Sequence, residues 1–235
     1  MDGRPGDYLS ENADYWERGM DAPHVESHVF RLFGRTKADL GLTGEGETAV
    51  DFGCGQGAAV NFLTMQGLNA WGCDICTRDL EIARIRYPHI ARKFVRCDPQ
   101  PNRNPFYAVA QDVACVTAFE SLYYFSNSDF DTCIAKLRSS LRPGGAIMAS
   151  MIGEQASDYF DTSQPEHDGL RRVSLQGRVG TGDLSICMNF VRNEAHLVER
   201  FQGFQPLHIG YYSGKYRQSD RGDTFHWTFV GRKSD

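Results

Sequence analysis

The stretch VDFGCGQG, from Val50 to Gly57, is the most informative part of this sequence. A short apolar run at 48–52 leads into it, and a run with helical character at 58–66 follows it. Glycine is needed where a backbone turns tightly or where a ligand must approach the backbone closely. Such a turn also points the N-terminus of the following helix at the ligand. The stretch therefore predicts a ligand-binding loop between a strand and a helix.

Strands and helices alternate on the C-terminal side of this loop. Strand-like runs occur at 69–74, 93–97, 113–119 and 146–152, and helical runs occur at 78–87 and 129–141. This alternation predicts βαβ units around a parallel sheet. On the N-terminal side, residues 8–20 and 24–40 are expected to be helical, the second run because its apolar residues recur about every 3.6 positions.

The alternation lapses after Ile152. Residues 154–183 are rich in Asp, Gln, Ser and Gly and lack periodicity, which indicates an insertion or lid. Alternation returns with a helix at 193–201 and strands at 204–212 and 224–231, and the loop between these strands is compatible with antiparallel pairing. We therefore expect one domain, 1–235, with four parts: a helical N-terminal cap (1–46), a core (47–152), an insertion or lid (153–192), and a C-terminal helix and strand pair (193–235).

The composition argues against several classes of protein. Of the 235 residues, 41% are hydrophobic and 23% are charged, which are ordinary globular values. The 25 basic and 30 acidic residues give a net charge of -5, which counts against a general nucleic-acid binder. No apolar run approaches the roughly 20 residues of a membrane span, and the first residues lack the apolar centre of a signal peptide. We expect a cytoplasmic protein with neither nucleic acid nor membrane among its partners.

The seven cysteines predict neither a disulfide framework nor a metal site. They are scattered, odd in number and mostly inside apolar segments, which fits reduced thiols. Cys73 and Cys76 form one C-x-x-C pair, but a structural zinc site needs four ligands, and no second pair or His-x-His sequence stands near it. We therefore predict that the protein holds no metal.

Two classes of cofactor are compatible with the glycine loop. Gly53, Gly55 and Ala58 satisfy the G-x-G-x-x-G/A pattern of dinucleotide sites, and Asp74 lies about where an acidic ribose ligand is expected. Asp51, however, would place a carboxylate that repels a pyrophosphate, whereas it suits a ligand with a cationic amino group. About 45 residues also precede the first strand, while dinucleotide domains often begin almost at that strand.

The loop more closely resembles that of class I S-adenosylmethionine-dependent methyltransferases. In that family it reads acidic-x-G-x-G-x-G, which Asp51, Gly53, Gly55 and Gly57 match. The family's L-x-P-G-G turn is matched at 141–145, between a helix and the fifth strand. The resemblance covers residues 47–152. It implies a doubly wound α/β fold with a mostly parallel seven-stranded sheet, a last strand that is antiparallel, and S-adenosylmethionine as cofactor.

The resemblance also implies roles for individual residues. The loop glycines would pack under the amino-acid and ribose part of the cofactor, and Asp51 would reach its amino group. Asp74 would accept hydrogen bonds from the two ribose hydroxyls, and Asp98 would face the adenine amino group. The candidate cofactor-binding residues are Tyr15, Asp51, Gly53, Cys54, Gly55, Gly57, Asp74, Ile75, Asp98, Phe119 and Glu120.

The methyl acceptor is expected beside the segment after the fourth strand, because parallel α/β sheets bind ligands outside the carboxyl ends of their strands. Many relatives carry a histidine near this position, where this chain has Tyr123 and Tyr124. Either tyrosine could orient the acceptor or wall the pocket beside the sulfonium. With His167 in the insertion, they are the candidate catalytic residues. The candidate acceptor-binding residues are Tyr8, Trp16, Arg171, Arg172, Tyr211 and Tyr212.

Three further features of the sequence indicate the nature of the methyl acceptor. Arginine binds carboxylate or phosphate bidentately, so Arg171 and Arg172 suggest a polar or anionic small molecule. The segment after the fourth strand lacks the N/D-P-P-Y/F sequence of enzymes that methylate exocyclic amines of nucleic acids. The Y-x-x-x-N-x-x-Y-W sequence at 8–16 resembles small bacterial methyltransferases of surface-polysaccharide and natural-product pathways.

These signals lead to one expected function and several alternatives. We expect methyl transfer from S-adenosylmethionine to a small molecule, at oxygen. N-methyl transfer by the same class, NAD(P)-dependent oxidoreduction and cofactor binding without catalysis stay open as alternatives. The sequence does not determine the oligomeric state, and a dimer is compatible with it.

Overall fold

Helices and strands alternate along the chain in the computed structural model, which describes residues 27–98, 111–156, 161–162, 165, 168–174, 185–214 and 224–234. The helices are α1 (Ser27–Thr36), α2 (Ala58–Met65), α3 (Thr77–Arg86), α4 (Asn127–Ser140) and α5 (Glu194–Arg200). The strands are β1 (Thr48–Phe52), β2 (Asn69–Asp74), β3 (Phe94–Arg96), β4 (Val113–Ala118), β5 (Leu141–Ile152), β6 (Asp161–Thr162), β7 (Leu170–Ser174), β8 (Ser185–Asn189), β9 (Phe204–Tyr212) and β10 (His226–Lys233). Short 3₁₀ turns span Pro88–Lys93, Leu122–Tyr124 and Glu154–Ala156.

Seven of these strands form the main sheet, in the order β3-β2-β1-β4-β5-β10-β9. The neighbours from β3 to β5 pair in parallel, and β10 pairs antiparallel with both β5 and β9. The predicted doubly wound sheet with an antiparallel last strand is thereby confirmed. Its order places the carboxyl ends of β1, β2 and β4 side by side.

Buried side chains cover both faces of the main sheet, as a parallel sheet requires. Against one face pack α1, α2 and α3, through residues such as Phe33, Phe62 and Leu80. Against the other pack α4 and α5, through residues such as Phe130 and Leu197. All six residues of β4 are buried, so this strand lies at the centre of the core. Among the described residues, no helix combines the length and the apolar character that crossing a membrane requires.

The structure differs from the expected elements in three places. Strand β5 begins at Leu141 rather than at 146, because Leu141 already pairs with Val113 before an irregularity brings Ala146 opposite Cys115. Within the expected irregular segment 154–183, β6 and β7 belong to a three-stranded antiparallel sheet completed by β8. Helix α1 ends at Thr36, and residues 37–41 form a turn that ends at Gly41, whose φ is 67°. The expected helix at 8–20 lies outside the described residues, and the division into four parts stays a prediction.

Glu47 fixes the start of β1. Its Oε1 accepts a 2.6 Å hydrogen bond from Arg142, and its Oε2 accepts bonds from the backbone N–H groups of Thr43 and Gly44. Burial alone would raise the pKa of Glu47, but these hydrogen bonds outweigh it and lower the pKa from 4.5 to about 2. The carboxylate therefore ties the loop before β1 to the turn within β5.

Replacing Glu47 with glutamine should lower the free energy of unfolding by about 1–2 kcal/mol at pH 7. This is less than the pKa shift of Glu47 alone implies, because Arg142 is 34% exposed and solvent screens the ion pair. Since the folded pKa lies below the unfolded one, this contribution is present above pH 4.5 and is lost as the pH falls towards 2. Urea unfolding between pH 7 and pH 3.5 measures the effect. The exposed neighbour Glu45→Gln is the control, and a wild-type advantage over Glu47→Gln that is independent of pH would contradict the prediction.

Candidate functional site

The loop after β1 turns through glycines with left-handed backbones. Gly53, Gly55 and Gly57 have φ values of 76°, 48° and 83°. A Cβ atom on Gly53 would lie 2.3 Å from the Cβ of Ser121, and one on Gly57 would lie 2.6 Å from the ring of Phe94. A Cβ on Gly55 would meet no atom within 4 Å. Two of the glycines thus permit close packing, while the third borders open space that a ligand can enter.

Asp74 holds the glycine loop from the end of the neighbouring strand. Its Oδ2 accepts a 2.8 Å hydrogen bond from the N–H of Gly55, and its Oδ1 accepts a 2.8 Å bond from the N–H of Cys76. A carboxylate has about four acceptor positions, so these two bonds leave capacity for a ligand hydroxyl. Asp74 therefore shapes the loop and also faces the space beside it.

Asp51 is a buried carboxyl group under the same loop. It is 3% exposed, and its Oδ1 accepts a 2.6 Å hydrogen bond from the hydroxyl of Thr117. Burial raises the pKa of Asp51 to about 6; the Thr117 hydroxyl opposes this rise and the charge of Asp74 adds to it. An ionised carboxylate at this position is costly without a partner, so a cationic ligand group fits beside it.

Two cavities meet at the carboxyl ends of β1 and β4. The larger, about 410 Å³, is lined by Asp74, Ile75, Asp98, Tyr124 and Phe125, among others. The smaller, about 160 Å³, is lined by residues that include His28, Asp51, Cys54 and Phe119. Gly53 and Glu120 line both cavities. The pair offers space for an elongated ligand that passes over the glycine loop.

Most of the candidate cofactor-binding residues come together at these cavities. Asp51, Gly53, Cys54, Asp74, Ile75, Asp98, Phe119 and Glu120 line one cavity or both, and Gly55 and Gly57 complete the loop. Tyr15 lies outside the described residues. The individual roles of these residues stay predictions. The described part of the chain contains no group of three or more side chains that could hold a metal ion.

The two candidate tyrosines after β4 occupy different environments. Tyr124 lines the larger cavity and is 47% exposed, whereas Tyr123 is 4% exposed and packs against Tyr124 and His226. Burial, together with the nearby Tyr124 and Glu120, raises the pKa of Tyr123 far above its ordinary value. Tyr123 therefore stays a neutral phenol, which can donate a hydrogen bond but does not take up a proton. His167, the third catalytic candidate, lies outside the described residues.

The acceptor-binding candidates are dispersed. Arg171 forms an ion pair with Glu154 and lies over the ring of Phe190, and Arg172 is exposed on the same strand, β7. Neither arginine is among the described residues that line the two cavities. Tyr211 is 67% exposed and stacks on Phe225. Tyr8 and Trp16 lie outside the described part of the chain, so their roles, like those of the arginines, stay predictions.

Tyr212 belongs to a cluster that the sequence did not reveal. Its hydroxyl donates a 2.7 Å hydrogen bond to Oε1 of Glu120, and its ring stacks on His28 with the ring centroids 3.9 Å apart. Nε2 of His28 lies 3.7 Å from the same oxygen of Glu120. His28 was missed because its position near the start of α1 carries no motif, and its contacts join segments that are distant in sequence.

The central part of the chain matches a known domain family. Residues 49–145 match the family described as "Methyltransferase domain". The matched segment contains the glycine loop, Asp74 and Asp98, and it ends at the L-R-P-G-G turn.

A curated protein with a similar sequence is named as a methyltransferase. Malonyl-(acyl-carrier protein) O-methyltransferase of Serratia marcescens is 25% identical over 162 residues, which are 69% of this chain and 60% of that protein. The chain thus spans less than two thirds of the length of that curated relative.

Solved structures of two methyltransferases have a similar fold. An S-adenosylmethionine-dependent methyltransferase from Clostridium acetobutylicum superimposes with a TM-score of 0.66 at 14% identity, over 97% of this chain and 100% of that one. Magnesium protoporphyrin IX methyltransferase from Synechocystis, solved with bound S-adenosylhomocysteine, has a TM-score of 0.59 at 15% identity, over 97% and 96% of the two chains. At these identities the likeness establishes the fold.

Alanine at Gly53 and at Gly55 should have unequal effects on stability. Both substitutions strain a left-handed backbone, at a cost of about 1 kcal/mol, but only Gly53→Ala also forces its Cβ into Ser121, which adds about 1–3 kcal/mol. Urea unfolding of the two variants compares them directly, with Gly55→Ala as the matched control. Equal losses in the two variants would contradict the close packing at Gly53.

Proposed function

We propose that this chain carries a class I S-adenosylmethionine-dependent methyltransferase domain and that it methylates a small-molecule acceptor. S-adenosylmethionine supplies a methyl group on a positively charged sulfur. The observation that carries the proposal is the pair of cavities joined at Gly53 and Glu120, with Asp74 at one side and Asp51 at the other.

The residues present fit this cofactor. Its adenosyl half matches the larger cavity, where Asp74 and Asp98 offer carboxylates to ribose hydroxyls and to the adenine amino group. Its amino-acid half matches the smaller cavity, where the buried carboxylate of Asp51 offers a partner for an ammonium group. The open space at Gly55 leaves room for the cofactor against the loop backbone.

The chain's own residues would then do three things. The glycine loop and Asp74 fix the position of the cofactor, which places the reacting carbon for an in-line displacement. Asp51 balances the ammonium charge in a site with little water. Phe119 and Tyr124 add aromatic walls that keep water from the reacting atoms, and this exclusion strengthens every charge interaction inside the site.

We propose oxygen as the methylated atom and a polar small molecule, from natural-product or sugar metabolism, as the acceptor. The name of the curated relative, an O-methyltransferase, supports transfer to oxygen but does not support a hydroxyl in particular, because the free oxygen nucleophile of a malonyl thioester is a carboxylate. Transfer to nitrogen is the second candidate, because the same site suits any neutral nucleophile that must lose a proton.

Binding of S-adenosylhomocysteine should depend on Asp74. Asp74→Asn removes the charge that receives the ribose hydroxyls, and charge-assisted hydrogen bonds contribute about 1.5–3 kcal/mol, so the Kd should rise about 10–100-fold. Isothermal titration calorimetry measures this change, with Glu81→Gln on the exposed face of α3 as the control. A wild-type protein that binds NAD or NADP and not S-adenosylhomocysteine would overturn the proposed function.

The affinity for S-adenosylhomocysteine should also depend on pH through Asp51. Because the pKa of Asp51 in the folded protein is raised from 3.8 to about 6, the carboxylate is ionised at pH 7.5 and becomes neutral as the pH falls through 6. The loss of its charge should weaken binding about tenfold between pH 7.5 and pH 5.

Two variants test whether Asp51 causes this transition. Asp51→Asn should bind weakly without a transition near pH 6. Thr117→Val removes the hydroxyl that stabilises the ionised carboxylate and should move the transition to higher pH. Calorimetric titrations of both variants across the pH range provide the measurement, and an unchanged transition in Asp51→Asn would assign it to another group.

A further inference from the structure

Glu120 occupies the junction of the two cavities. Gly53 and Glu120 line both of them, and Gly53 has no side chain, so at this point Glu120 supplies the functional group. In S-adenosylmethionine the sulfonium joins the adenosyl and amino-acid halves. A cofactor with one half in each cavity therefore has its sulfonium and methyl group beside Glu120.

The backbone of Glu120 is held in an unfavourable conformation. Its φ of 53° lies in the left-handed region, which only Asp112 and Asp168 share among the described residues other than glycine. Its N–H donates a 2.9 Å hydrogen bond to Oγ of Ser150, and the adjacent Ser121 hydroxyl donates a 2.8 Å bond to the carbonyl of Phe52. Strained residues of this kind persist where the surrounding structure fixes them, and they cluster at functional sites.

The side chain of Glu120 is also positioned from two directions. Tyr212, on β9, donates its hydroxyl to Oε1, and His28, on α1, lies against the ring of Tyr212 and near the same oxygen. The Glu120 side chain is nevertheless 44% exposed, and an ionised carboxylate accepts several hydrogen bonds. The cluster fixes the direction of the carboxylate and leaves acceptor capacity for a further group.

We infer that Glu120 takes the proton of the methyl acceptor, and that the acceptor therefore reacts through a neutral hydroxyl or amine. This inference rests on the proposed function. The acceptor's oxygen or nitrogen lone pair forms the bond to the methyl carbon, while the carbon–sulfur bond breaks and leaves its electron pair on sulfur. The acceptor's proton passes to the carboxylate of Glu120 and from there to solvent. Tyr212 and His28 are positioning residues.

The same geometry disfavours a carboxylate as the reacting group. An anionic oxygen at the methyl group would lie against the anionic side chain of Glu120, and the two like charges would repel each other, although solvent at the half-exposed Glu120 weakens the repulsion. Any anionic group of the acceptor must then lie away from the reacting atom. The polar or anionic acceptor that Arg171 and Arg172 suggest is compatible with this restriction if its anionic group is not the group that reacts.

A comparison of two ligands tests the position of Glu120 without requiring turnover. S-adenosylmethionine carries the positive sulfur and S-adenosylhomocysteine does not. Glu120→Gln should raise the Kd of S-adenosylmethionine about tenfold and change that of S-adenosylhomocysteine less than about twofold. Glu45→Gln, an equal loss of charge at an exposed site, should leave both values unchanged. Equal effects of Glu120→Gln on the two ligands would overturn the inference.

Two further variants keep the test independent of stability. Glu120→Gly relieves the left-handed backbone, so it should unfold at the same or a higher temperature than the wild type and still lose the preference for the sulfonium. Tyr212→Phe leaves the carboxylate in place but removes the hydrogen bond that fixes its position. The Kd of S-adenosylhomocysteine divided by that of S-adenosylmethionine should therefore fall, but by less than in Glu120→Gln. A Glu120→Gly protein that keeps the wild-type ratio would contradict the inference.

Turnover tests the acceptor class. Benzyl alcohol, phenol, benzylamine and benzoate form a matched panel, with S-adenosylhomocysteine formation as the readout. The inference is supported if the wild type methylates the alcohol, phenol or amine and the rate falls about 10²–10⁴-fold in Glu120→Gln. It is overturned if the wild type methylates benzoate. If no member of the panel reacts, the Kd values of Glu120→Gln and Glu120→Gly for S-adenosylmethionine and S-adenosylhomocysteine decide whether the inference stands. Failure of the proposed function is a separate result, since the wild type would then bind neither ligand.

Discussion

The contact between Gly53 and Ser121 determines where the other groups of the site lie. It brings the loop after β1 against the loop after β4, and it exists because Gly53 has no Cβ. The Ser121 hydroxyl strengthens the contact through its bond to the carbonyl of Phe52. Glu120, one residue earlier in the chain, is thereby placed over the glycine loop. A larger side chain at position 53 would separate the two loops and, with them, the two cavities.

The carboxyl groups of Asp51, Asp74 and Glu120 surround the space under this contact, so the charge of one can affect the ionisation of another. Asp74 raises the pKa of Asp51, and Glu120 stands at the edge of both cavities. A site with this charge distribution is unfavourable when it is empty and favourable for a ligand with two positive groups. Under the proposed function, this negative charge would favour S-adenosylmethionine over S-adenosylhomocysteine, which lacks the positive sulfur.

The sequence predicted the central part of the fold, and most of its candidate cofactor-binding residues line the two cavities, because both depend on local patterns. Strands β1 and β2 have the predicted bounds, since each is a short apolar run that ends at a turn or a charged residue. The glycine loop and Asp74 lie within 25 residues of each other and follow a familiar spacing. The cluster of His28, Glu120 and Tyr212 could not be predicted, because it depends on how α1 and β9 pack across the sheet. The small sheet around β7 was missed because the apolar residues that it buries, such as Val173 and Met188, stand among polar residues in the sequence and show no regular alternation there.

The position of β10 in the main sheet has a consequence for the order in which the protein can assemble during synthesis. In the described sheet β9 pairs only with β10, which lies between it and β5. Tyr212, at the end of β9, can therefore reach Glu120 in its final place only after residues 226–233 have been made and have paired with β5. Until then a nascent chain can fold its cofactor-binding half while its acceptor side is incomplete. An unfinished chain could thus hold the cofactor in a site that is not yet arranged to use it.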